Sequence, residues 1–406
     1  MIVKNITLLG HKDHGKSTLI GNLLIQTKSV TEARINDAKK TSKQFGRQFE
    51  PGYILDSFSE ERENEMTIDT TRAEMVYRDL AFAFIDVPGH EELIKNMISG
   101  ASYAEIALLI VSAKEGEGIR DQTKRHVFIA RMLGIKKLIV AVNKMDLVGY
   151  DKERFFDIEK GLKEFIENVG FKDSKIYFVP ISAYNADNLL KKSAKMKWYR
   201  GKPLIELLYE NAKAEDKKAA SAPLRITAQG FIDLEHQTIV GKVVSGKIAA
   251  GERVRIMPAG IMVRVKYITV KGKKAKSAMK NDDVALHIDK PVKGDIRGSV
   301  IGNARERQKM SNNLRSLIFV TQPFAKSSKI KFNGMDVACK RIKVLKGIDT
   351  TTGKAMKVKR VKPLEAIEAR VELERKIPVE NFDAQRELGR FVVYDNLNFV
   401  GIGIVL

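Results

Sequence analysis

The sequence predicts a doubly wound α/β domain with a mostly parallel sheet, followed by two all-β barrel domains. Over the first 210 residues, short apolar runs rich in β-branched residues alternate with longer helical patterns. This alternation is typical of a parallel sheet covered by helices on both faces. Beyond residue 223 the pattern changes to period-two runs divided by glycine and proline, which is typical of β-barrels. At 406 residues the chain has room for about two to four domains.

In the first part of the chain, five strands and five helices are predicted from hydrophobic period and length. The strands cover residues 2–9, 81–86, 106–113, 137–143 and 175–180, and the helices lie near 16–27, 91–101, 122–133, 154–168 and 204–212. Residues 213–223 are small, charged and end in proline, which indicates a linker.

The second part of the chain contains two consecutive series of short strands. The first series covers 224–229, 238–245, 253–257, 262–270, 284–288 and 299–302, and the second covers 314–320, 329–332, 337–345, 365–373 and 391–405. We therefore predict an α/β domain over 1–212, a linker over 213–222, one barrel over 223–303 and another over 304–406.

Positive charge is concentrated in the predicted barrels. The chain has a net charge of +22, and residues 1–200 contain 32 basic and 28 acidic side chains, against 40 and 22 in residues 201–406. Such an excess indicates a surface that faces a polyanion such as a nucleic acid. A solvated, lysine-rich surface that needs no partner is the alternative, and a charge count alone does not decide between them.

The sequence gives no indication of a membrane anchor or a disulfide framework. Cys339 is the single cysteine and cannot form an internal disulfide, which fits a reducing compartment. The longest apolar stretches, 106–113 and 138–142, are far shorter than the roughly 20 residues that span a bilayer. The first residues have a strand pattern rather than that of a secretory signal, so we expect a cytoplasmic protein.

A phosphate-binding motif lies between the first strand and the first helix. Residues 10–17 read GHKDHGKS and fit the pattern G-x-x-x-x-G-K-[ST] in the position where that motif binds phosphate. The glycines let backbone N–H groups turn toward the phosphates, Lys16 reaches the terminal phosphates, and the Ser17 hydroxyl is a ligand for Mg²⁺.

Three further motifs follow strands of the same predicted sheet. Asp86 and Gly89 belong to a DVPG sequence, in which the carboxylate is suited to hold the water shell of Mg²⁺ and the glycine amide to sense a γ-phosphate. Asn143, Lys144 and Asp146 belong to NKMD, where the Asp146 carboxylate can accept hydrogen bonds from the N1–H and amino groups of guanine. Ser182 and Ala183 are placed to close the base pocket through their backbone. Since ligands bind at the carboxyl ends of parallel strands, we expect one guanine-nucleotide site.

These motifs resemble those of the translational GTPases, the family of elongation factor 1-alpha and elongation factor Tu. The resemblance is close over residues 1–210, through segments 10–18, 60–67, 86–90 and 143–146, and weaker in the barrels at 241–251, 388–391 and Gly401. It implies GTP or GDP with Mg²⁺ as ligands, a GTPase activity, and the ribosome with a tRNA or tRNA-like protein as partners.

The resemblance also implies roles for individual residues. Thr67 corresponds to the threonine that binds Mg²⁺ in the GTP state, and His90 to the histidine that orients the attacking water. The predicted catalytic residues are thus His90 and Lys16, and the predicted metal ligands are Ser17, Thr67 and Asp86. The predicted nucleotide-binding residues are His11, Asp13, His14, Gly15, Lys16, Ser17, Thr18, Asp86, Gly89, Asn143, Lys144, Asp146, Ser182 and Ala183.

The sequence departs from the family pattern at two positions near the phosphates. Glu65 stands where the family usually has glycine, and Lys12 stands where it usually has an apolar residue. Both changes add charge beside the γ-phosphate region, so we expect an altered hydrolysis rate with nucleotide binding retained. His11 and His14 are interpreted as support for the loop conformation rather than as metal ligands.

The function that the GTPase serves has three alternatives at this point. A translation factor that engages tRNA and the ribosome fits the basic barrels. The GTPase subunit of sulfate adenylyltransferase is similar to elongation factor 1-alpha throughout, and would need a protein partner instead. Residues 197–203 and 348–352 look somewhat like that subunit. A ribosome-rescue GTPase is the third alternative, although its usual N-terminal extension is not seen before the first strand.

Overall fold

A computed structural model describes residues 2–44, 49–55, 71–86, 106–135, 137–171, 175–213, 222–324, 328–358, 360–396 and 398–406. Contacts divide the chain into two compact units. One unit comprises Met1–Glu215 with Thr350–Lys354, and the other comprises Asp216–Asp349 with Ala355–Leu406. The predicted helix at 91–101 lies outside the described residues, as does most of the predicted linker at 213–222. The predicted domain boundaries stay predictions.

The first unit is built around a mixed sheet with the strand order β2-β3-β1-β4-β5-β6. The strands are β1 (Ile2–Leu9), β2 (Thr71–Tyr77), β3 (Leu80–Asp86), β4 (Ile106–Ser112), β5 (Lys137–Asn143) and β6 (Lys175–Pro180). The described α-helices are α1 (Lys16–Gln26), α2 (Glu32–Gln44), α3 (Asp121–Met132), α4 (Lys152–Asn168) and α5 (Leu204–Lys213). All neighbours pair in parallel except β2 with β3. The predicted doubly wound, mostly parallel α/β fold is confirmed.

Burial explains why the central strands read as continuous apolar runs. Every residue of β4 and all but the first residue of β5 are buried, as expected for strands covered on both faces. The helices are amphipathic, and α4 buries Phe155, Ile158, Leu162, Phe165 and Ile166 at helical spacing. Asp151 caps α4 by accepting from the backbone N–H groups of Glu153 and Arg154.

Two elements of this unit were missed from the sequence. In α2 only Ala38 and Ser42 are buried, so the helix shows almost no apolar stripe from which to predict it. The antiparallel strand β2 is at the edge of the sheet, and Val76 on it is 45% exposed. An edge strand lacks the continuous apolar run by which its parallel neighbours were found.

The second unit contains two closed antiparallel barrels. Barrel A comprises β7 (Arg225–Phe231), β8 (Thr238–Ser245), β10 (Arg253–Met257), β11 (Ile261–Val270), β14 (Asp283–Ile288) and β15 (Val300–Asn303), with the short strands β9 (Lys247–Ala249), β12 (Lys273–Ala275) and β13 (Ser277–Met279) beside it. Pairing of β10 with β11 closes the ring. Burial alternates along β10 and β14, because one face of each strand lines the core.

Barrel B comprises β16 (Met310–Val320), β17 (Ser328–Phe332), β18 (Met335–Ile348), β20 (Ala366–Pro378), β21 (Arg390–Asp395) and β22 (Asn398–Val405), with β19 (Ala355–Met356) at the edge. Pairing of β17 with β18 closes this ring. The two predicted barrels are confirmed. The predicted single run at 391–405 is two strands, because the chain turns at Asn396, whose φ is +53°. None of the helices in the described ranges is long and apolar enough to cross a bilayer.

A buried arginine joins the two barrels within the second unit. The Arg225 side chain is 6% exposed, and its guanidinium donates to the carboxylates of Glu306 and Glu380 at 2.9–3.0 Å. Arg225 also donates to the Leu224 carbonyl oxygen at 2.8 Å. Since β7 belongs to barrel A and Glu380 follows β20 of barrel B, this cluster fixes one barrel against the other.

Replacing Arg225 with methionine should lower the free energy of unfolding by about 2–3 kcal/mol, because the partly buried Glu306 and Glu380 then lose the cation that they share. Urea denaturation of the full chain measures the change. The control is Arg315→Met, since the Arg315 side chain is 65% exposed and Lys346 remains beside its partner Glu368. The control should cost less than about 1 kcal/mol. Equal losses in the two variants would contradict a special role for Arg225.

Candidate nucleotide-binding site

The predicted motifs lie at one edge of the sheet of the first unit. Strands β3, β1, β4, β5 and β6 run parallel and lie side by side in that order, so their carboxyl ends share an edge. The phosphate loop follows β1, and Asp86 ends β3 in register with Leu8 of β1. Asn143 ends β5, and Ser182 follows β6. Thr67, Gly89 and His90 lie outside the described residues.

Two glycines shape the phosphate loop. Gly10 has φ +135°, and a Cβ there would lie 2.4 Å from the Ile110 carbonyl oxygen. Gly15 has φ +83°, and a Cβ there would lie 2.6 Å from Nδ2 of Asn143. Both positions therefore require glycine. The resulting turn leads directly into α1, whose first amides lie at the positive end of the helix dipole, a position suited to an anion such as phosphate.

Lys16 is the first residue of α1, and its side chain folds back over the phosphate loop. Its Nζ donates to the Gly10 carbonyl oxygen at 3.2 Å and lies 3.5 Å from that of His11. This position holds a positive charge above the loop. Ser17 and Thr18 follow in the first turn, with Ser17 exposed. The oxygen donors predicted for Mg²⁺, the Ser17 hydroxyl and the Asp86 carboxylate, are of the kind that this ion prefers. Ser17 lies in the helix that follows β1, and Asp86 ends the adjacent strand β3.

The histidines of the loop make contacts within the protein. His14 is fully buried, and its Nδ1 lies 3.2 Å from the Ile110 carbonyl oxygen. Burial lowers the pKa of His14 to about 4, so the ring is neutral at physiological pH and Nδ1 donates to that carbonyl. His11 Nδ1 accepts from the Asp13 amide at 3.4 Å. These contacts suit the predicted loop-supporting roles of His11 and His14.

A third histidine, which sequence reasoning missed, also contacts the loop. His126 of α3 is 5% exposed, and its Nδ1 accepts from the Gly10 amide at 3.3 Å. The hydrogen bond holds the first residue of the loop against α3. The sequence signal that could have identified His126 was its place as a polar residue among the buried positions of α3, between Thr123 and Val127.

Asn143 connects the phosphate loop to the base side of the site. Its Nδ2 donates to the His14 carbonyl oxygen at 2.8 Å, and its Oδ1 accepts from the Ala183 amide at 2.8 Å. The side chain is buried, so both hydrogen bonds are shielded from water. Asn22 of α1, another residue missed from the sequence, donates to the carbonyl oxygens of Ala183 and Tyr184. The loop after β6 is therefore held from two elements.

Lys144 is held by an acidic residue that the sequence did not single out. It has φ +62°, and its Nζ donates to Glu117 at 2.6 Å. Burial opposes ionisation of Glu117, but hydrogen bonds from Lys144, Ser112 and Lys114 outweigh it and lower the pKa of Glu117 to about 2. Glu117 is consequently ionised and fixes the Lys144 side chain beside the turn that carries Asp146. That turn is a 3-10 helix over Met145–Val148, and Asp146 on it is partly exposed.

The backbone of Ser182 and Ala183 forms the other side of the region predicted to hold the base. Ser182 exchanges backbone hydrogen bonds with Asp187 at 3.0 and 3.3 Å, and its hydroxyl accepts from the Asn185 amide at 3.1 Å. The Met145 amide donates to the Ile181 carbonyl oxygen at 3.2 Å, which joins the turn of Asp146 to this loop. Of the predicted residues, the structure brings together the phosphate loop, Asn143, Lys144, Asp146, Ser182 and Ala183.

Comparison with known proteins identifies the first part of the chain. Residues 1–214 match the family model described as the elongation factor Tu GTP binding domain, and residues 323–406 match the model described as the GTP-eEF1A C-terminal domain-like family. These matches confirm the resemblance inferred from the motifs. They show that the chain binds GTP and GDP and is a GTPase.

Individual relatives match nearly the whole chain. Elongation factor 1-alpha of Ignicoccus hospitalis is 35% identical over 99% of this chain and 95% of its own length. Elongation factor 1-alpha of Aeropyrum pernix has the same identity and coverage. A solved structure of sup35 complexed with GMPPNP is 25% identical with a TM-score of 0.44, and the match covers 100% of this chain and 94% of that one. The family models and the elongation factors together show that the chain is an elongation-factor-like GTPase and belongs to the elongation factor Tu and elongation factor 1-alpha family of translational GTPases.

Proposed function

We propose that this GTPase acts in translation and that its GTP-bound state engages the ribosome together with a tRNA or a protein shaped like one. The observation that carries the proposal is the 35% identity with elongation factor 1-alpha, which extends over 99% of the chain and so includes both barrels. A cytoplasmic place of action belongs to the same proposal.

The surface of barrel B supports a polyanionic partner. Arg315, Arg370 and Lys343 lie directly opposite one another on the neighbouring strands β16, β20 and β18, and all three are exposed. Arg315 pairs with Glu368, whereas no described carboxylate pairs with Arg370 or Lys343. Like charges directly opposite on a sheet destabilise it. Contact with RNA phosphates would offset this repulsion.

The described residues suggest how the site binds the phosphates. Lys16 and the amides at the start of α1 provide positive charge and donors for the β- and γ-phosphates. Ser17 from the first turn of α1 and Asp86 from the end of β3 would hold Mg²⁺, with Thr67 as a further ligand in the GTP state. When bound, the ion neutralises charge on the phosphates. Gly89 would sense the γ-phosphate through its amide, and His90 would orient the water that attacks it.

In this proposal the base is recognised on the side of Asn143 that faces away from the phosphate loop. The Asp146 carboxylate would accept from the N1–H and the amino group of guanine, and adenine lacks both donors in that arrangement. Lys144, held by Glu117, would flank the base. Ser182 and Ala183 would close the pocket through their backbone, which Asn143 and Asp187 fix in place.

Replacing Asp146 with asparagine should weaken GDP binding by about 10- to 100-fold, because hydrogen bonds to a charged acceptor are lost. The variant should gain affinity for xanthosine diphosphate, whose base presents an acceptor to the new amide. Titration with each nucleotide measures both effects. The control is Asp151→Asn, since Asp151 caps α4 and asparagine caps equally well. Unchanged GDP affinity in the Asp146 variant would refute the assignment of Asp146 to the base.

Replacing His90 with alanine should leave GTP affinity unchanged and slow hydrolysis by at least about tenfold, because the attacking water loses the group that orients it. Single-turnover hydrolysis with saturating enzyme separates the two effects. His236→Ala is the control, since His236 lies in barrel A and stacks on Phe231. Normal hydrolysis by the His90 variant would remove its catalytic role.

The proposed role is tested by measuring GTP hydrolysis of the purified protein with and without ribosomes from the same source, at fixed moderate salt. We expect ribosomes to stimulate hydrolysis at least about tenfold, as an activating partner does for other GTPases. Tight GTP binding without stimulation would contradict a translation role. It would favour the sulfate-activating alternative, in which another protein is the partner.

A further inference from the structure

A cluster of side chains joins the two loops of the base region at a distance from the phosphates. The Tyr150 hydroxyl donates to Oδ2 of Asp187 at 2.8 Å. Lys195 completes the cluster, because its Nζ lies 2.9 Å from the Tyr150 hydroxyl and 3.3 Å from the Asp187 carboxylate. The Asp187 side chain is 13% exposed, so water competes little for these hydrogen bonds.

Tyr150 terminates the turn that carries Asp146. Its amide donates to the Met145 carbonyl oxygen at 2.7 Å, and its φ is +60°. Its own carbonyl oxygen accepts from Nε1 of Trp198 at 3.1 Å. Tyr150 is therefore fixed through its backbone at one end and through its hydroxyl at the other. Because Tyr150 is held in this left-handed backbone conformation, it also fixes the position of the short turn before it.

Asp187 holds the opposite loop. It exchanges two backbone hydrogen bonds with Ser182, and its Oδ1 accepts from the Ser193 hydroxyl at 2.7 Å. Asp187 thus anchors this segment at both ends, through its backbone at Ser182 and through its side chain at Ser193. The hydrogen bond between Tyr150 and Asp187 spans the gap between this segment and the turn of Asp146.

We propose that Tyr150 and Asp187 are positioning residues for guanine recognition, which set the Asp146 carboxylate at the distance from the Ser182–Ala183 backbone that the base requires. The inference rests on the proposed role of Asp146. The two donors of guanine lie on one edge of the ring, so a carboxylate accepts from both only in a narrow range of orientations. Loss of the hydrogen bond between Tyr150 and Asp187 lets the turn move and misaligns that pair of contacts.

The ratio of the affinities for GDP and inosine diphosphate is a measurement that a change in protein stability alone does not alter. Hypoxanthine retains the N1–H of guanine and lacks the exocyclic amino group, so the preference for GDP over inosine diphosphate reports the contact between that amino group and Asp146. A variant that merely unfolds part of the protein loses affinity for both nucleotides in the same proportion. A variant that misaligns Asp146 loses affinity for GDP and much less for inosine diphosphate.

The same unit contains a matched control. The Tyr209 hydroxyl donates to Asp79 at 2.6 Å, and Lys213 contacts both residues, at 2.8 Å from the hydroxyl and 3.1 Å from the carboxylate. This second group has the same three residue types as Tyr150, Asp187 and Lys195. It joins α5 to the turn between β2 and β3, and it contains none of the residues assigned to the nucleotide. Tyr209→Phe therefore removes a hydrogen bond of the same chemical type, to a more exposed carboxylate, outside the base region.

The experiment measures the dissociation constants of GDP and inosine diphosphate for the full chain and for Tyr150→Phe, Tyr209→Phe and Asp187→Asn. Tyr150→Phe should reduce the preference for GDP at least about fivefold, because it removes a hydrogen bond to a carboxylate. Tyr209→Phe should leave the preference unchanged. Asp187→Asn should retain it within about twofold, because the amide oxygen still accepts from Tyr150 and the amide nitrogen can donate to the Ser193 hydroxyl.

The outcomes separate this inference from the proposal on which it rests. If the unaltered chain does not prefer GDP, or if Asp146→Asn leaves that preference intact, then the role of Asp146 is wrong. If Asp146→Asn abolishes the preference while Tyr150→Phe retains it, the positioning role is wrong and that of Asp146 stands. An equal loss of affinity for both nucleotides in Tyr150→Phe would also overturn the positioning role, since it would show a contribution to stability alone.

Discussion

The arrangement of the predicted nucleotide site depends on the carboxamide of Asn143. One amide group at the end of a buried strand donates to the phosphate loop and accepts from the loop after β6. A side chain that offers a donor and an acceptor in one plane suits this position, because the two loops present a carbonyl oxygen and an N–H group. Gly15 has no side chain because a Cβ there would occupy the place of this amide. The predicted phosphate side and the predicted base side of the site are therefore linked through one residue.

Sequence reasoning located the strands of the parallel sheet well, for a physical reason. β1, β5 and β6 were predicted with the bounds that the structure has. For β5 the reason is its burial on both faces, which leaves an almost uninterrupted apolar run. The same reasoning missed α2, which buries two small residues, and the hairpin at Asn396, where no glycine or proline marks the turn. The short strands β9, β12 and β13 also escaped, because three residues are too few to show a period.

The site could be predicted only as far as its residues belong to contiguous motifs. Lys16, Asn143 and Asp146 stand in short patterns that have a chemical meaning by themselves. Glu117 and His126 have no such pattern, and they reach the site only because β4 and α3 bring them beside residues distant in sequence. The hydrogen bond of Tyr150 with Asp187 spans 37 positions and is likewise visible only in three dimensions.

Because His14 is buried, the stability of the folded chain depends on pH. An unfolded chain binds a proton at this ring near the ordinary histidine pKa of 6.5, whereas the folded loop, with a pKa of about 4, does not. Acidification from neutral pH therefore favours the unfolded chain progressively until the pH reaches about 4, below which both states are protonated. The loop predicted to bind the phosphates thus excludes a positive charge from its own interior, and the folded chain loses stability in acid as a result.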